Sequence, residues 1–315
     1  VKRRILHRVG ASIVVVWAVL TLTFVLQHTL PSDPARAMAG PQARPADVDQ
    51  IRLQLGLDQP LWVQYGRYMG RLVRADLGES HQRGMPVADI LKERIPNTAM
   101  LAGAAIFLQV LLGTVAGVIA ALRRGTWLDH GTIALTLLGI SAPTFLTGLV
   151  LQYWLAYRLQ WLPFDGFGTT FGQQMQSMVL PAITLGLFGA AFYARFVRDE
   201  MLGILREDYI RTAMAKGLPP WRVLLVHGLR NALMPLLTIV GMDLGAMMGG
   251  AVVTEKLFRW PGIGSLTVDA VLAQDGPLIM GIVLVTSIAI VVANLIVDLL
   301  YALLDPRTRR PADTR

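Results

Sequence analysis

Long apolar runs separated by basic or turn-rich stretches set the pattern of this chain. Residues 9–26, 99–122, 132–157, 178–196, 232–253 and 278–304 each come near or exceed the roughly 20 apolar residues that cross a bilayer as a helix. The pattern predicts an all-α membrane protein with six transmembrane helices. The third run is interrupted by Pro143, which a span tolerates where neighbours satisfy the freed carbonyl. Gly113 and Gly117 give the second run small-xxx-small spacing for close helix approach. Gly241, Gly245 and Gly249 recur every four residues in the fifth, forming a smooth ridge that Gly250 widens and the soft side chains of Met247 and Met248 flank. Such a ridge serves helix packing, a pore-facing groove, or both.

Between the first two runs lies a polar region, residues 29–97, expected to form a small helical extracytoplasmic insertion. LPSDPARAMAG opens it as a turn-rich exit. Three short amphipathic helices follow. The first covers 48–55 and ends at Gly56. The second covers 60–73, with Trp62, Tyr65, Met69, Leu72 and Val73 on one face. The third covers 86–95, with Val87, Ile90, Leu91 and Ile95 on one face and Pro96 as its end. These faces suit a small core or packing on the membrane domain. A signal peptide is the competing reading of the start: Lys2, Arg3, Arg4 and Arg8, an apolar run, then Ala37-Met38-Ala39. The run is long enough to span, and the small-residue site lies beyond Pro31, Asp33, Pro34 and Arg36, so it reads as the first span.

Residues 207–235, EDYIRTAMAKGLPPWRVLLVHGLRNALMP, sit between the fourth and fifth spans. A helix over 207–216 stops at Gly217, which tolerates the left-handed conformation. Pro219 and Pro220 forbid its continuation and seat a second helix starting near Trp221. The product is a rigid basic elbow. The expected layout is an N-terminal tail and first span (1–28), the insertion (29–97), a five-helix core with the elbow loop at 199–231 (98–304), and a basic tail (305–315).

Composition supports a membrane protein. Of 315 residues, 54% are hydrophobic, against roughly 45–50% in soluble chains, and the mean hydropathy is +0.51. The net charge of +8 could suggest nucleic acid, but basic residues outnumber acids at both termini, at Arg123 and Arg124, and along 195–230, while the many Arg of 29–97 lie in a long loop, a weak topology signal. That distribution satisfies the positive-inside rule with both termini cytoplasmic. No cysteine is present, which excludes disulfides and thiolate chemistry. No H-E-x-x-H, G-x-S-x-G or P-loop occurs, so the chain shows no catalytic set, no metal site and no ATP phosphate cradle.

Asp243 falls near the middle of the fifth span, where an ionised carboxylate costs roughly 2.5–3.5 kcal/mol on insertion scales. It lines a substrate path or holds a substrate's amino group; alternatively it hydrogen-bonds a neighbouring helix or is protonated in a packed interface. Asp298 and Asn294 lie four apart in the sixth span, with Asp298 close to its cytoplasmic end.

The elbow resembles the cytoplasmic coupling loop of ATP-binding-cassette (ABC) importer permeases, whose pattern is E-A-A, three residues, Gly, nine residues, I-x-L-P. Gly217 fits the Gly; Arg211-Thr212-Ala213 falls on E-A-A and matches only its last Ala; Leu229 alone matches in I-x-L-P. The departures resemble the dipeptide/oligopeptide branch, with its D-Y-I/V-R-T-A-x-A-K-G and L-R-N-A-L-x-P, both present here. LGLDQPL and ADLGES resemble that branch's extracytoplasmic segment, with Ala75 for a Gly. EKLFRWPGIGSL resembles E-x-x-F-x-W-P-G-I/L-G-x-L, and Gln274-Asp275-Gly276-Pro277 resembles R-D-x-P.

The resemblance implies a type I importer permease in the cytoplasmic membrane that moves di- or oligopeptides, or related small solutes, delivered by an extracytoplasmic binding protein. It implies a second homologous permease and two ATPase subunits as partners, with ATP and Mg held on the ATPases. It implies ATPase coupling through Asp208, Tyr209, Arg211, Thr212, Ala213, Lys216, Gly217, Leu229 and Arg230. It places Glu255, Phe258, Trp260, Pro261, Gly262 and Gly264 near an outer gate and binding-protein dock. Asp243, Met247 and Gly250 are the candidates for the translocation path. The family often has an amide where Asp243 stands, so no role passes to it by resemblance. A rival reading is a secondary transporter or channel using Asp243 and Asp298 for ion coupling; it predicts inverted repeats and broken helices, and no convincing repeat is evident. A membrane enzyme or receptor is disfavoured by the missing catalytic set.

Overall fold

In a computed structural model, the backbone is described for residues 2–29, 34–40 and 42–304, and side chains from Gly10 to Val297 apart from residues 30–33, 37 and 41. The basic tail 305–315 and the side chain of Asp298 lie outside the described residues.

The first apolar run forms α1 (Lys2–Thr29). The insertion follows as α2 (Pro34–Ala39), α3 (Pro45–Leu55) and α4 (Leu61–Val73). Helix α3 ends where Gly56 takes the left-handed conformation, φ 67°. The apolar face of α4 makes no core: Trp62 is 75% and Val73 90% exposed. Tyr65 and Tyr68 turn inward, against Phe24 of α1.

The third insertion helix does not end at Pro96. It continues as α5 (Val87–Leu122), so the expected boundary at 97 falls inside one 36-residue helix. Pro96 lacks the N–H that would bond the carbonyl one turn back, yet tertiary contacts hold the next two residues in helix. Asn97 donates from Nδ2 to the carbonyls of Glu93 (3.2 Å) and Pro261 (3.0 Å), and accepts the Trp260 indole N–H (3.1 Å). Val87, Ile90 and Leu91 pack on the last two helices of the chain, the membrane-domain packing their spacing allowed.

The third apolar run is broken rather than kinked. Helix α6 (Trp127–Ser141) and helix α7 (Thr144–Leu151), extended by π-helical turns at Gln152–Arg158, meet at 102° where Pro143 caps α7. Both limbs lean on α8 (Phe171–Ile204). Asp129 at the start of α6 pairs with Arg198, and Ala156 near the end of the second limb packs on Leu180. The 18 residues of α8 between those contacts cover about 27 Å, close to the roughly 30 Å hydrocarbon thickness, the reach that one crossing needs.

Beyond α8 come the elbow helix α9 (Asp208–Ala215) and α10 (Pro220–Arg222). Helix α10 runs through π turns (Val223–Leu229) into α11 (Arg230–Met248). The second limb of the elbow is therefore not separate from the fifth span: residues Pro220–Met248 form one continuous apolar helix. Two short helices, α12 (Val252–Leu257) and α13 (Ile263–Leu272), precede α14 (Gly276–Leu304). Among the described residues, five helices are individually long and apolar enough to cross a membrane, or six if the bent pair is one span.

A close seam joins α5 to α8. A Cβ on Gly113 would lie 2.4 Å from Tyr193 Cβ, and one on Gly117 2.5 Å from the Ala194 carbonyl oxygen. A Cβ on Gly241 would lie nearer still to a Val297 methyl of α14, at 1.7 Å, and Gly245 lies beside Ile290. Gly249 does not extend the ridge. It caps α11, with its own Ala246 carbonyl as the near neighbour.

Candidate functional site

Three constellations collect most of the residues singled out by sequence. The first is the elbow. Ile210 (1% exposed) and Ala213 on α9 pack onto Val223, with Ile204 and Leu218 around them. Gly217 holds φ +76° and turns the chain into Pro219 and Pro220. This foot presents Asp208, Tyr209, Arg211, Thr212, Lys216, Gly217 and Arg230 to the surface. Met214 and Trp221 stand exposed beside them, at 53% and 63%. Two expected coupling residues point the other way: Ala213 is in the foot, and Leu229 packs among the buried residues of α8 and α11. The Tyr209 hydroxyl accepts from Asn231 Nδ2 at 3.0 Å, tying α9 to the base of α11.

The second is a carboxylate-centred knot between α11 and α14. Glu255 is fully buried. It accepts the Ser265 N–H (2.7 Å) and the Thr98 hydroxyl (3.2 Å), while Thr98 Oγ1 accepts the Ile263 N–H (2.7 Å). A Cβ on Gly262 would stand 2.4 Å from the Glu255 carboxyl, so only glycine lets the turn close over it. Gly250, at φ +96°, lies against Gly264, where a Cβ would be 2.3 Å from the amide nitrogen. Phe258 and Trp260 are 2% and 1% exposed. Phe258 packs on Ala156 and Leu180, and Trp260 on Leu101, Ala105 and Leu185, so within this chain both rings are covered. Gly250 is partly covered, and Met247 faces Thr98, Leu101, Leu185, Ala251 and Glu255.

Burial pushes the Glu255 carboxyl above the ordinary carboxylate value of 4.5, against the pull of the Ser265 N–H and Thr98 hydroxyl. A raised folded-state value means folding favours the protonated acid. Its contribution is complete below pH 4.5 and is lost as pH rises through the folded value. Thermal stability is expected to decline across that window, and Glu255→Gln to flatten the decline. An unchanged slope in melting curves of the variant from pH 4 to 8 counts against the assignment.

The third constellation lies within the spans. Asp243 accepts a 2.6 Å hydrogen bond from the hydroxyl of Tyr193, a fully buried residue of α8. Asp243 itself is half-buried and pairs with no cation among the described residues.

Sequence reasoning missed two long-range pairs. Arg198 makes a two-pronged ion pair with buried Asp129 (2.5 and 3.0 Å), fixing α6 to the elbow end of α8. Nothing in the spacing of the two residues marks them as partners. Asp275, 1% exposed, accepts from the Ser80 hydroxyl and from the N–H groups of His81, Gln82 and Leu278. That bond joins two motifs, ADLGES and QDGP, that lie 195 residues apart.

The chain has extensive relatives. Residues 113–310 match the family of binding-protein-dependent transport system inner membrane components, and residues 1–102 match its N-terminal family. A probable D,D-dipeptide transport system permease of Escherichia coli (strain K12) is 41% identical over 328 residues, covering 96% of both chains. A putative peptide transport system permease of Brucella abortus (strain 2308) is 41% identical, covering 97% of this chain and 98% of the relative. A glutathione transport system permease of Escherichia coli (strain K12) is 40% identical, with the same coverage. Among solved structures, an inward-facing methionine ABC transporter, MetNI, superposes with a TM-score of 0.56 at 16% identity, covering 69% of this chain and 96% of that chain.

Proposed function

This chain belongs to the family of binding-protein-dependent transport system inner membrane components, and from that premise we propose how its parts divide the work. It is the multi-pass permease subunit of an ATP-driven importer in the inner membrane, working with ATPase and substrate-binding partners. Its cargo is a di- or oligopeptide or a related small solute, the class named for its relatives. Both termini and the elbow face the cytoplasm, in keeping with the positive-inside rule. A second homologous permease completes the pathway, and two ATPase subunits holding ATP and Mg drive it.

The observation that carries the reading is the elbow: a compact foot of Ile210, Ala213 and Val223 under an exposed cationic and aromatic face. A foot this short transmits displacement because α11 continues directly from it. ATP binds the closed ATPase pair better than the open one, and that differential affinity biases the spans between their two openings. Asp243 supplies a path-side carboxylate where α8 meets α11. The ion-coupled rival gains one feature, the 102° break in the third span, but the family is one of ATP-driven importers.

Because the chain has no cysteine, Arg211→Cys gives a single reactive site. Crosslinking in inside-out vesicles is expected to capture an ATPase subunit, and capture should change with nucleotide. In right-side-out vesicles loaded with ATP, Asp243→Asn should alter uptake without reducing the amount of inserted permease. Uptake that ignores ATP, with no crosslink at position 211, returns the rival.

A further inference from the structure

The function above leaves α4 unused, and its surroundings specify a partner. We propose that α4 is a membrane-surface helix: its apolar edge sits among the acyl chains of the leaflet on the insertion side, and its arginine edge meets the phosphates of anionic lipid.

Depth is the first support. Gln27 of α1 donates to the Gly276 carbonyl at the start of α14 (3.3 Å), which marks a shared level where both helices leave the apolar zone. Gln64 of α4 bonds His28 at that level (3.1 Å). The Tyr65 hydroxyl, however, reaches Thr21 (2.7 Å), six residues and about 9 Å deeper along α1. Helix α4 therefore straddles the boundary, with its aromatic edge pointing into the hydrocarbon.

Exposure is the second. On a helical wheel Trp62, Met69 and Val73 share an arc with Tyr65 and Tyr68, yet Trp62 and Val73 are 75% and 90% exposed. The neighbouring α1 is nearly bare, with only 11% of its apolar window buried. A surface that no described part of this chain covers thus runs along α1 and reaches this edge. A Trp at such a level is typical of the bilayer interface.

Charge is the third. Arg67 and Arg71 occupy the opposite arc, and Arg74 follows at the helix end. All three are exposed, and none forms an ion pair with a carboxylate among the described residues. An amphipathic helix with aromatic and aliphatic residues on one side and arginines on the other lies in the plane of the interface.

The test uses single-cysteine variants of the cysteine-free chain in the complete transporter, reconstituted in phosphatidylglycerol-containing liposomes. Spin labels at Trp62→Cys, Met69→Cys and Val73→Cys are expected about 5–10 Å below the phosphates, more accessible to oxygen than to a water-soluble nickel chelate. A label at Arg67→Cys should show the reverse. Nickel accessibility at 62, 69 and 73 equal to that at 67 would mean the helix stands in water and would overturn the proposal. Low accessibility to both reagents would mean a protein covers it, which also overturns it. Replacing Arg67, Arg71 and Arg74 by Gln should lower the preference for spin-labelled phosphatidylglycerol over phosphatidylcholine, by up to about fivefold per arginine in contact. An unchanged preference removes the headgroup role.

Discussion

Ile210→Asp is expected to abolish ATP-driven uptake while leaving the permease inserted in the membrane. Ile210 is 1% exposed and forms the centre of the elbow's foot with Ala213 and Val223. An aspartate there loses the apolar burial and leaves a polar group without a partner, at a cost of about 3 kcal/mol or more. Its partners Ala213, Val223, Ile204 and Leu218 belong to the elbow and to the helix ends it joins, so the cost falls on the docked shape of α9. A penalty of that size lowers the docking-competent population about 100-fold, and coupled transport should fall in proportion. Arg211→Glu makes the complementary case. Arg211 is well exposed, its side-chain ion pair to Asp208 is long at 3.5 Å, and the foot stays folded, so uptake loss there reports on the contact face. Uptake and binding-protein-stimulated ATP hydrolysis, measured together in proteoliposomes, check both. Normal uptake in Ile210→Asp would show that the elbow does not transmit the drive.

Gly117→Leu is expected to have the second-largest effect, on assembly of the membrane domain itself. A Cβ at Gly117 would be 2.5 Å from the Ala194 carbonyl oxygen and 3.0 Å from the Arg198 amide nitrogen. These are backbone atoms, and they cannot rotate aside. The helices must separate, at about 1–3 kcal/mol for overpacking and more for a branched side chain. The same separation strains the Arg198–Asp129 pair that ties α6 to α8. Gly245→Ala is the contrast: its nearest neighbours would lie 3.6–3.7 Å from the new carbon, ordinary contact distance. Gly117→Leu should lower the melting temperature in detergent and reduce recovered complex, whereas Gly245→Ala should change neither. Equal behaviour of the two would show that the α5–α8 seam does not depend on close approach.

The spans and the elbow were legible because their causes are local. A long apolar run must satisfy its own backbone hydrogen bonds in lipid, so each run reads as a helix without knowledge of its neighbours. Gly217 followed by Pro219 and Pro220 specifies a turn through the conformations those residues permit. Motif order along the chain likewise carried the family before any fold was in view.

What the sequence could not supply were the outcomes that depend on what comes to lie beside a residue. Pro96 reads as a helix end, yet Asn97 and Thr98 are bound by Pro261, Trp260 and Ile263 from the far end of the chain, and the helix continues. Pro143 reads as a tolerated interruption, yet both limbs lean on α8 and the break opens to 102°. Glu255 is placed by resemblance near an outer gate, and Thr98, 157 residues earlier, helps bury it. The chain alone thus determined its membrane-crossing segments, its basic elbow and its kinship, all written in run length, charge placement and turn residues. Which charges pair, which prolines bend a helix and which motifs are buried was decided only when the helices packed, because those energies belong to contacts between segments and have no period along the chain.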